Sequence, residues 1–555
     1  MSAIHPGSDP DRRDLFKVAL AAGVAAAVQA VPAQASAART ASARAAAIAH
    51  PGLLHTQADL DRMAARVSAG VQPWKAGWDR LVANSHAQST WTANPQATII
   101  RGGTGENYGI LYNDIHAAYQ NALRWRISGS TAHGNAARDI LNAWSATLTT
   151  VTGNADRFLA AGIYGYQFAN AAELMRGYAG FDLARFQRMM RTVFYPLNDD
   201  FLVNHNGACI TNYWANWDLC TMNSVLAIGV LCDDQALVNR AIDYFRNGAG
   251  NGSVMHAIPF LHDGGLAQWQ ESGRDQGHTM MGVGQMGAFC EMAWNQGVDL
   301  YGYADNRFAR ACEYIARYNL GESVPFATYT WGSGTNCAQN THTAISSASR
   351  GQIRPVWETV YHHYAGRRGL AMPYTARAAA AVRAEGGGGD YGSTSGGFDQ
   401  LGFGTLVHTR DGASIVSGGT YKLVCERSGK ALDNGNTAAQ GAAVVQWTDN
   451  GGAQQSWRIT DVGGGQHKLV SAMSGKALDN GNTATEGAAT VQWTDNSGSP
   501  QRWKIVDVGG GAYQLISAMS GKALDNGNTA TEGAAAVQWT GTGGLPQRWR
   551  LMRLT

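Results

Sequence analysis

The strongest constraint on the fold of this chain is a threefold repetition near its C-terminus. "SGKALDNGNTA" occurs at 428–438, 474–484 and 520–530, each copy followed by "VQWT" and then by a Gln-x-Trp. The closing tryptophans, Trp457, Trp503 and Trp549, are 46 residues apart both times. A repeat this short cannot bury a hydrophobic face alone, so the copies must share one core. Short alternating segments such as "YKLVCE", "HKLVSA" and "YQLISA" read as strands between Gly/Asn turns. Three units of about four such strands predict a closed threefold barrel, because closure removes unpaired sheet edges.

Upstream, from about 50 to 385, the pattern changes from period two to period 3.6. "NDIHAAYQNALRWRIS" (113–128), "QFANAAELMRGY" (167–178) and "NWDLCTMNSVLAIGVL" (216–231) carry apolar residues at i, i+3, i+4 and i+7. Sequential helical hairpins with no long strand run predict antiparallel pairs stacked into an (α/α) toroid or incomplete barrel. The glycine-rich "EGGGGDYGSTSGG" (385–397) reads as a loop closing this region, with "FDQLGFGTLVH" returning to pack. The expected domains are therefore a toroid over 50–412 and an all-β domain over 418–555. A chain of 555 residues is long enough for both.

Composition narrows the partners. Lys+Arg 43 against Asp+Glu 41 provides no basic field for nucleic acid. Only 15% of residues are charged, while 69 are Gly and 17 are Trp, which suits a neutral extracellular surface with aromatic platforms for carbohydrate. The seven cysteines show no CxxC, and an odd count leaves at least one unpaired in the expected monomer. There is no HExxH, and His362 and His363, adjacent on a helix, point apart, so no metal site is expected. Arg12-Arg13 precede "DLFK", an apolar run from Val18 to Val31, and the small-residue motifs "AQA" and "ASA". That run is shorter than the about 20 residues needed to span a bilayer, so no membrane partner is expected. The segment 1–37 resembles a twin-arginine signal peptide, followed by an Ala-rich linker over 38–49; the resemblance implies export of the folded chain and an extracellular location.

The repeats of 418–555, with three equally spaced Gln-x-Trp motifs, resemble the ricin-type β-trefoil lectins. That resemblance implies that the Gln and Trp are core and turn residues. It implies sugar contacts at Asp433 and Trp447, Asp479 and Trp493, and Asp525 and Trp539. A carboxylate accepts sugar hydroxyls while an indole face covers the C–H patch. Gln454, Pro500 and Pro546 stand where the family often has Asn, which removes part of the expected hydroxyl contact.

The helical region resembles alginate lyase-like polysaccharide lyases with an (α/α) toroid. The phrases that carry it are "NHNGACITNYWANWDLC" (204–220), "ESGRDQGH" (271–278) and "DLYGYADNRF" (299–308). The resemblance implies β-elimination on a polyuronate with no metal or cofactor. Asn, His and Arg would neutralise the C5 carboxylate, and Tyr, sometimes with His, would move protons.

A helix starting near Asp275 puts Arg274 and His278 four residues apart on one face at its head. Gly282, Gly284, Gly287 and Ala288 then let neighbouring helices approach. Asn212 and Asn216 repeat that spacing upstream, Tyr164 and Tyr166 open a further helix, and Tyr108 and Tyr112 another. If these are the inner helices of a toroid, their heads share one rim, where free N–H groups and the helix dipole favour anions. Tyr301 and Tyr303 follow a helix of about 20 residues, some 30 Å from Arg274, and read as structural.

The expected catalytic set is Asn212, Asn216, Arg274 and His278, with Tyr166, Tyr164 and Tyr213 for proton transfer. Trp217, Glu271, His205 and Arg354 are the expected substrate contacts. The expected protein is a secreted lyase of alginate, polymannuronate or glucuronan, with a lectin domain that binds glycan. The alternatives are a glycoside hydrolase using two of Asp218, Glu271 and Asp275, or a glycan-binding protein without catalysis.

Overall fold

A computed structural model describes residues 47–388, 398–410, 415–508 and 512–554. The expected signal peptide, most of the linker and most of the glycine-rich loop lie outside the described residues.

The helical domain is built on five inner helices. They are α1 (Tyr108–Ser128), α2 (Gly165–Leu174), α3 (Ala215–Leu231), α4 (Gln276–Asn295) and α5 (Trp357–Tyr361), each packed on the next. Outer helices cover them: Thr131–Thr147 on α1, Tyr195–Asn204 and Gln235–Asn247 on α3, Tyr303–Asn319 on α4 and Pro373–Val382 on α5. Sequence explains the two layers. Helices α3 and α4 are apolar or small on nearly every face and are buried almost end to end. The outer Gln235–Asn247 buries one stripe, Leu237, Val238, Ala241, Ile242 and Phe245, and turns its charges to solvent. Gly284 sets a close approach on α4. A Cβ there would lie 2.6 Å from Gln400 Nε2 and 2.9 Å from Val356, so the segment after the glycine-rich loop and the start of α5 rest directly on it.

Two features depart from the expected pattern. Tyr164 and Tyr166 do not open a helix. They lie inside a continuous helical run that starts at Asp156–Leu159, widens through a π-type turn at Ala160–Tyr164 and continues as α2. The domain also holds three short two-stranded sheets: Thr98–Ile100 with Thr150–Thr152, Phe260–His262 with Leu266–Gln268, and Tyr329–Ser333 with Ala338–His342. Strands of three to five residues are too short to leave a period in the sequence. The last hairpin is fastened by a disulfide between Cys209 and Cys337, and the other five cysteines are free thiols.

The C-terminal domain is a twelve-stranded sheet that closes when the last strand, Trp549–Arg553, pairs with the first, Gly419–Cys425. Val444 N–H donates to Thr490, Thr490 to Ala536 and Ala536 back to Val444, a ring of backbone bonds of 2.8–2.9 Å about the threefold axis. The Gln-x-Trp residues serve the core and the turns. Trp457, Trp503 and Trp549 are fully buried and donate through Nε1 to the carbonyls of Leu432, Leu478 and Leu524. The side chain of Gln455 ties Thr448 to Asn450. No helix among the described residues is long and apolar enough to cross a membrane.

Candidate active site

The heads of the inner helices meet around residues 398–400. Phe398 stacks on Tyr112 of α1 at 4.4 Å, and Tyr166 of α2 donates to the Asp399 carbonyl at 3.0 Å. Arg354, just before α5, holds the Asp399 carboxylate at 2.8 Å. On α3, Asn216 approaches Met281 of α4 at 3.6 Å and leaves its buried Oδ1 without a hydrogen-bond partner among the described residues.

At the head of α4 lies the most open polar cluster of this rim. The Asp275 carboxylate caps the helix by accepting from His278 N–H at 2.8 Å, and its other oxygen lies 2.8 Å from His278 Nδ1. That contact makes Nδ1 the protonated nitrogen, so Nε2 carries the lone pair and accepts from Arg274 Nη2 at 3.2 Å. Glu271, wholly buried, holds Arg274 Nη1 at 2.9 Å. Burial pushes the Glu271 carboxyl upward, and the charge of Arg274 opposes it. The side chains of Arg274 and His278 remain 26% and 39% exposed, so both meet solvent on the cleft side.

An aromatic wall stands beside this cluster. The Arg274 guanidinium lies 5.1 Å from the centre of Trp214, which packs on Trp331 at 5.0 Å and lies parallel to His342 at 5.8 Å. Trp331 and His342 come from the disulfide-fastened hairpin. Burial pushes the His342 imidazole below its ordinary range, and its Nδ1 has no partner among the described residues. At the head of α1, Arg101 lies 4.9 Å over Tyr108 and 5.6 Å over Tyr164.

In the trefoil, Asp433 pairs with Val445 and Ala431 with Trp447 across one hairpin, and the other two repeats match this register. Alternation puts Asp433 and Trp447 on one face, with Leu432 and Gln446 turned inward. Each Asp accepts from a glycine N–H two residues on, at 2.8–2.9 Å. Trp447, Trp493 and Trp539 are among the most exposed large side chains of the domain.

Comparison with known proteins assigns both halves. The alginate lyase family model matches residues 104–326. The ricin-type beta-trefoil lectin domain-like model matches 413–493, 461–539 and 499–555. Residues 104–326 thus match the alginate lyase family and residues 413–555 the ricin-type β-trefoil. These matches support a polysaccharide lyase with a carbohydrate-binding module.

Among solved structures, the trefoil is similar to a designed 3-fold symmetric protein, ThreeFoil, at 43% identity over 24% of this chain and 99% of that one, with a TM-score of 0.24. It is also similar to an exo-beta-1,3-galactanase from Clostridium thermocellum, at 39% identity over 25% of this chain and 31% of that one, TM-score 0.24. A ricin B-like lectin from Macrolepiota procera, in complex with lactose, matches at 24% identity over 25% and 99% of the two chains, TM-score 0.23. No curated protein matches this chain.

Within the helical domain, several residues expected to touch substrate are engaged elsewhere. Tyr164 and Tyr166 are fully buried, and burial pushes both hydroxyls well above the usual phenol range. His205 is buried behind α3, bonded to Asp218 at 2.9 Å and close to Tyr244. Arg354 is committed to Asp399 and is buried with it. Glu271 reaches no surface and positions Arg274. Asn212 lies outside α3 and accepts from Gly334 N–H at 2.7 Å, holding the hairpin tip. Tyr213 and Trp217 are half-buried and pack on each other at 4.5 Å, and the Tyr213 hydroxyl accepts from Asn206. Tyr301 is core: its hydroxyl lies 3.1 Å from the Gly287 carbonyl and 3.2 Å from the Glu291 carboxylate, near the far end of α4. Arg101, Trp331, His342 and Asp399 left no local signal, because loops carry Arg101 and Asp399 and short strands carry Trp331 and His342, and only long-range contacts bring them to the rim.

Proposed function

We propose that the chain is an exported polysaccharide lyase that cleaves an acidic polyuronate of alginate or glucuronan type by β-elimination. The observation that carries this reading is the Arg274–His278 pair, 3.2 Å apart, partly exposed, and oriented by Glu271 and Asp275. β-Elimination needs a positive group at the C5 carboxylate, a base for the C5 proton and an acid for the leaving O4. Arg274 supplies the first, and the buried Asn216 amide at the head of α3 is a second candidate. His278 Nε2 takes the C5 proton; the released electron pair forms the C4–C5 double bond, and the C4–O bond breaks. A half-buried tyrosine, Tyr213 or Tyr112, gives O4 its proton. Trp214 and Trp331 offer indole faces to the sugar rings along the cleft.

The carboxylates a hydrolase would need are engaged. Asp218 is buried against His205, Tyr244 and Gly252; Glu271 is sealed; Asp275 is spent on capping and on His278. In the trefoil, three Asp–Trp hairpin faces serve as glycan sites that keep the toroid near its polymer. Arg274→Ala and His278→Ala test the reading. Each is expected to lower kcat/KM on the responsive uronan by about 10²–10⁴, the usual worth of such groups. Unchanged turnover in a folded variant of either would exclude it.

A further inference from the structure

The two domains meet on helix α5 through charges held out of solvent. Glu358 of α5, 1% exposed, accepts from Arg383 at 2.5 and 3.1 Å and faces His362 at 2.9 Å. Three residues along, the Tyr361 ring carries the guanidinium of Arg550, from the last trefoil strand, at 4.0 Å. Arg550 pairs with Glu426, which follows the first trefoil strand, and Arg548 reaches the same carboxylate at 2.8 Å. Arg383 of the toroid and Glu426 of the trefoil attract each other. Glu358, Arg383, Glu426 and Arg550 thus alternate in sign across the interface.

Each ion pair closes within its own domain, Glu358 with Arg383 and Glu426 with Arg548 and Arg550, and the cation that crosses the interface is the Arg550 guanidinium on the Tyr361 ring. The rest of the interface is loosely filled. It encloses a cavity of about 360 Å³ between Ala365, Leu370 and Met372 on one side and Val424 and Leu551 on the other. The Arg550 cation on the Tyr361 ring, more than close apolar packing, therefore carries the docking. A lectin hung on a free tether needs no such contact. Glu358 also lies one turn beyond Arg354, whose guanidinium holds Asp399 among the helix heads at 2.8 Å.

We propose that the trefoil is a structural part of the catalytic domain: through Glu426 and Arg550 it clamps α5, and so positions Arg354 and Asp399 at the rim of the cleft. Arg354 and Asp399 are positioning residues here, acting through the rim they brace. The effect on turnover rests on the lyase reading above; the docking itself does not.

The test uses the full chain with Arg550→Met, which keeps the apolar stem and removes the charge, and Arg550→Lys, which restores a cation. Calorimetric unfolding and turnover of a short uronan oligomer, too short to bridge the cleft and a lectin site, are the readouts. The parent chain is expected to unfold in one transition and Arg550→Met in two. On the oligomer, kcat of Arg550→Met is expected to fall about tenfold with KM little changed, as for displaced catalytic groups. Arg550→Lys is expected to recover part of both. A single transition and unchanged kcat in Arg550→Met would overturn the proposal. Should that variant not fold, Glu426→Gln is read in the same way. If the parent chain cleaves no uronan, the lyase reading falls, and the calorimetry alone decides the docking.

Discussion

Asp275 does two things with one side chain: it starts helix α4 and fixes the protonated nitrogen of His278. Asp275→Asn would keep an oxygen for the cap, but its amide can equally donate to Nδ1 and turn the lone pair away from the cleft. The expected result is a loss of kcat/KM of about 10²–10⁴ with the helix content unchanged, read by kinetics beside circular dichroism. Full activity in that variant would mean that His278 is not the base. At this scale the sequence was informative where spacing is local. Arg274, Asp275 and His278 lie within five residues, so their closeness is local, although the helix starts only at Gln276 and the extended cap at Asp275, not a helical i, i+4 face, brings Arg274 to His278. Asp399 reaches Arg354 across 45 residues and His342 reaches Trp214 across 128, and nothing in a local window records either contact.

Among the elements, the long periodic helices were legible, and the short hairpin that completes the aromatic wall was not. The hairpin Tyr329–Ser333/Ala338–His342 joins the loop before α3 through the Cys209–Cys337 disulfide and the Asn212–Gly334 bond. The disulfide closes a loop of 128 residues, which in a chain-entropy account stabilises by up to about 5 kcal/mol. Cys337→Ser should therefore lower the melting temperature and raise KM for uronan, since Trp331 and His342 lose their anchor. An unchanged KM would remove the hairpin from the substrate wall.

Helix α4 makes a second, pH-dependent prediction. Burial alone would raise the Glu291 carboxyl, but Arg367 at 2.7 Å and Arg410 at 3.1 Å outweigh it and hold the carboxyl near about 2. A depressed folded-state value stabilises the fold above the unfolded carboxyl's pKa, about 4.3, and that stability is lost as pH falls from there toward about 2. Glu291→Gln should be less stable at neutral pH, and its stability should fall less between pH 4.5 and 2 than that of the parent. Parallel acid-stability curves would contradict this account of the ion pairs.

In the whole molecule, the threefold barrel was the most legible part, because a repeat written three times fixes its own register. The docking of barrel on toroid was not, since Glu426, Arg550, Glu358 and Arg383 are unremarkable charges until the two domains meet. The trefoil's three Asp–Trp faces give a prediction that belongs here. Trp447→Ala, Trp493→Ala and Trp539→Ala should each weaken binding to an immobilised polymer, and the triple variant should lose far more than any single one, as expected for linked sites. Equal binding by the triple variant and the parent would place glycan recognition elsewhere.

The central claim is β-elimination on a uronan, and ultraviolet absorbance tests it most directly. The mature chain would be incubated with polymannuronate, polyguluronate, glucuronan and, as control, a neutral glucan. A C4–C5 double bond conjugated to the carboxylate absorbs, whereas the products of hydrolysis do not. The account predicts rising absorbance on at least one uronan and none on the glucan. New reducing ends without absorbance would make the chain a hydrolase; neither signal on any polymer would leave the toroid without the activity assigned to it.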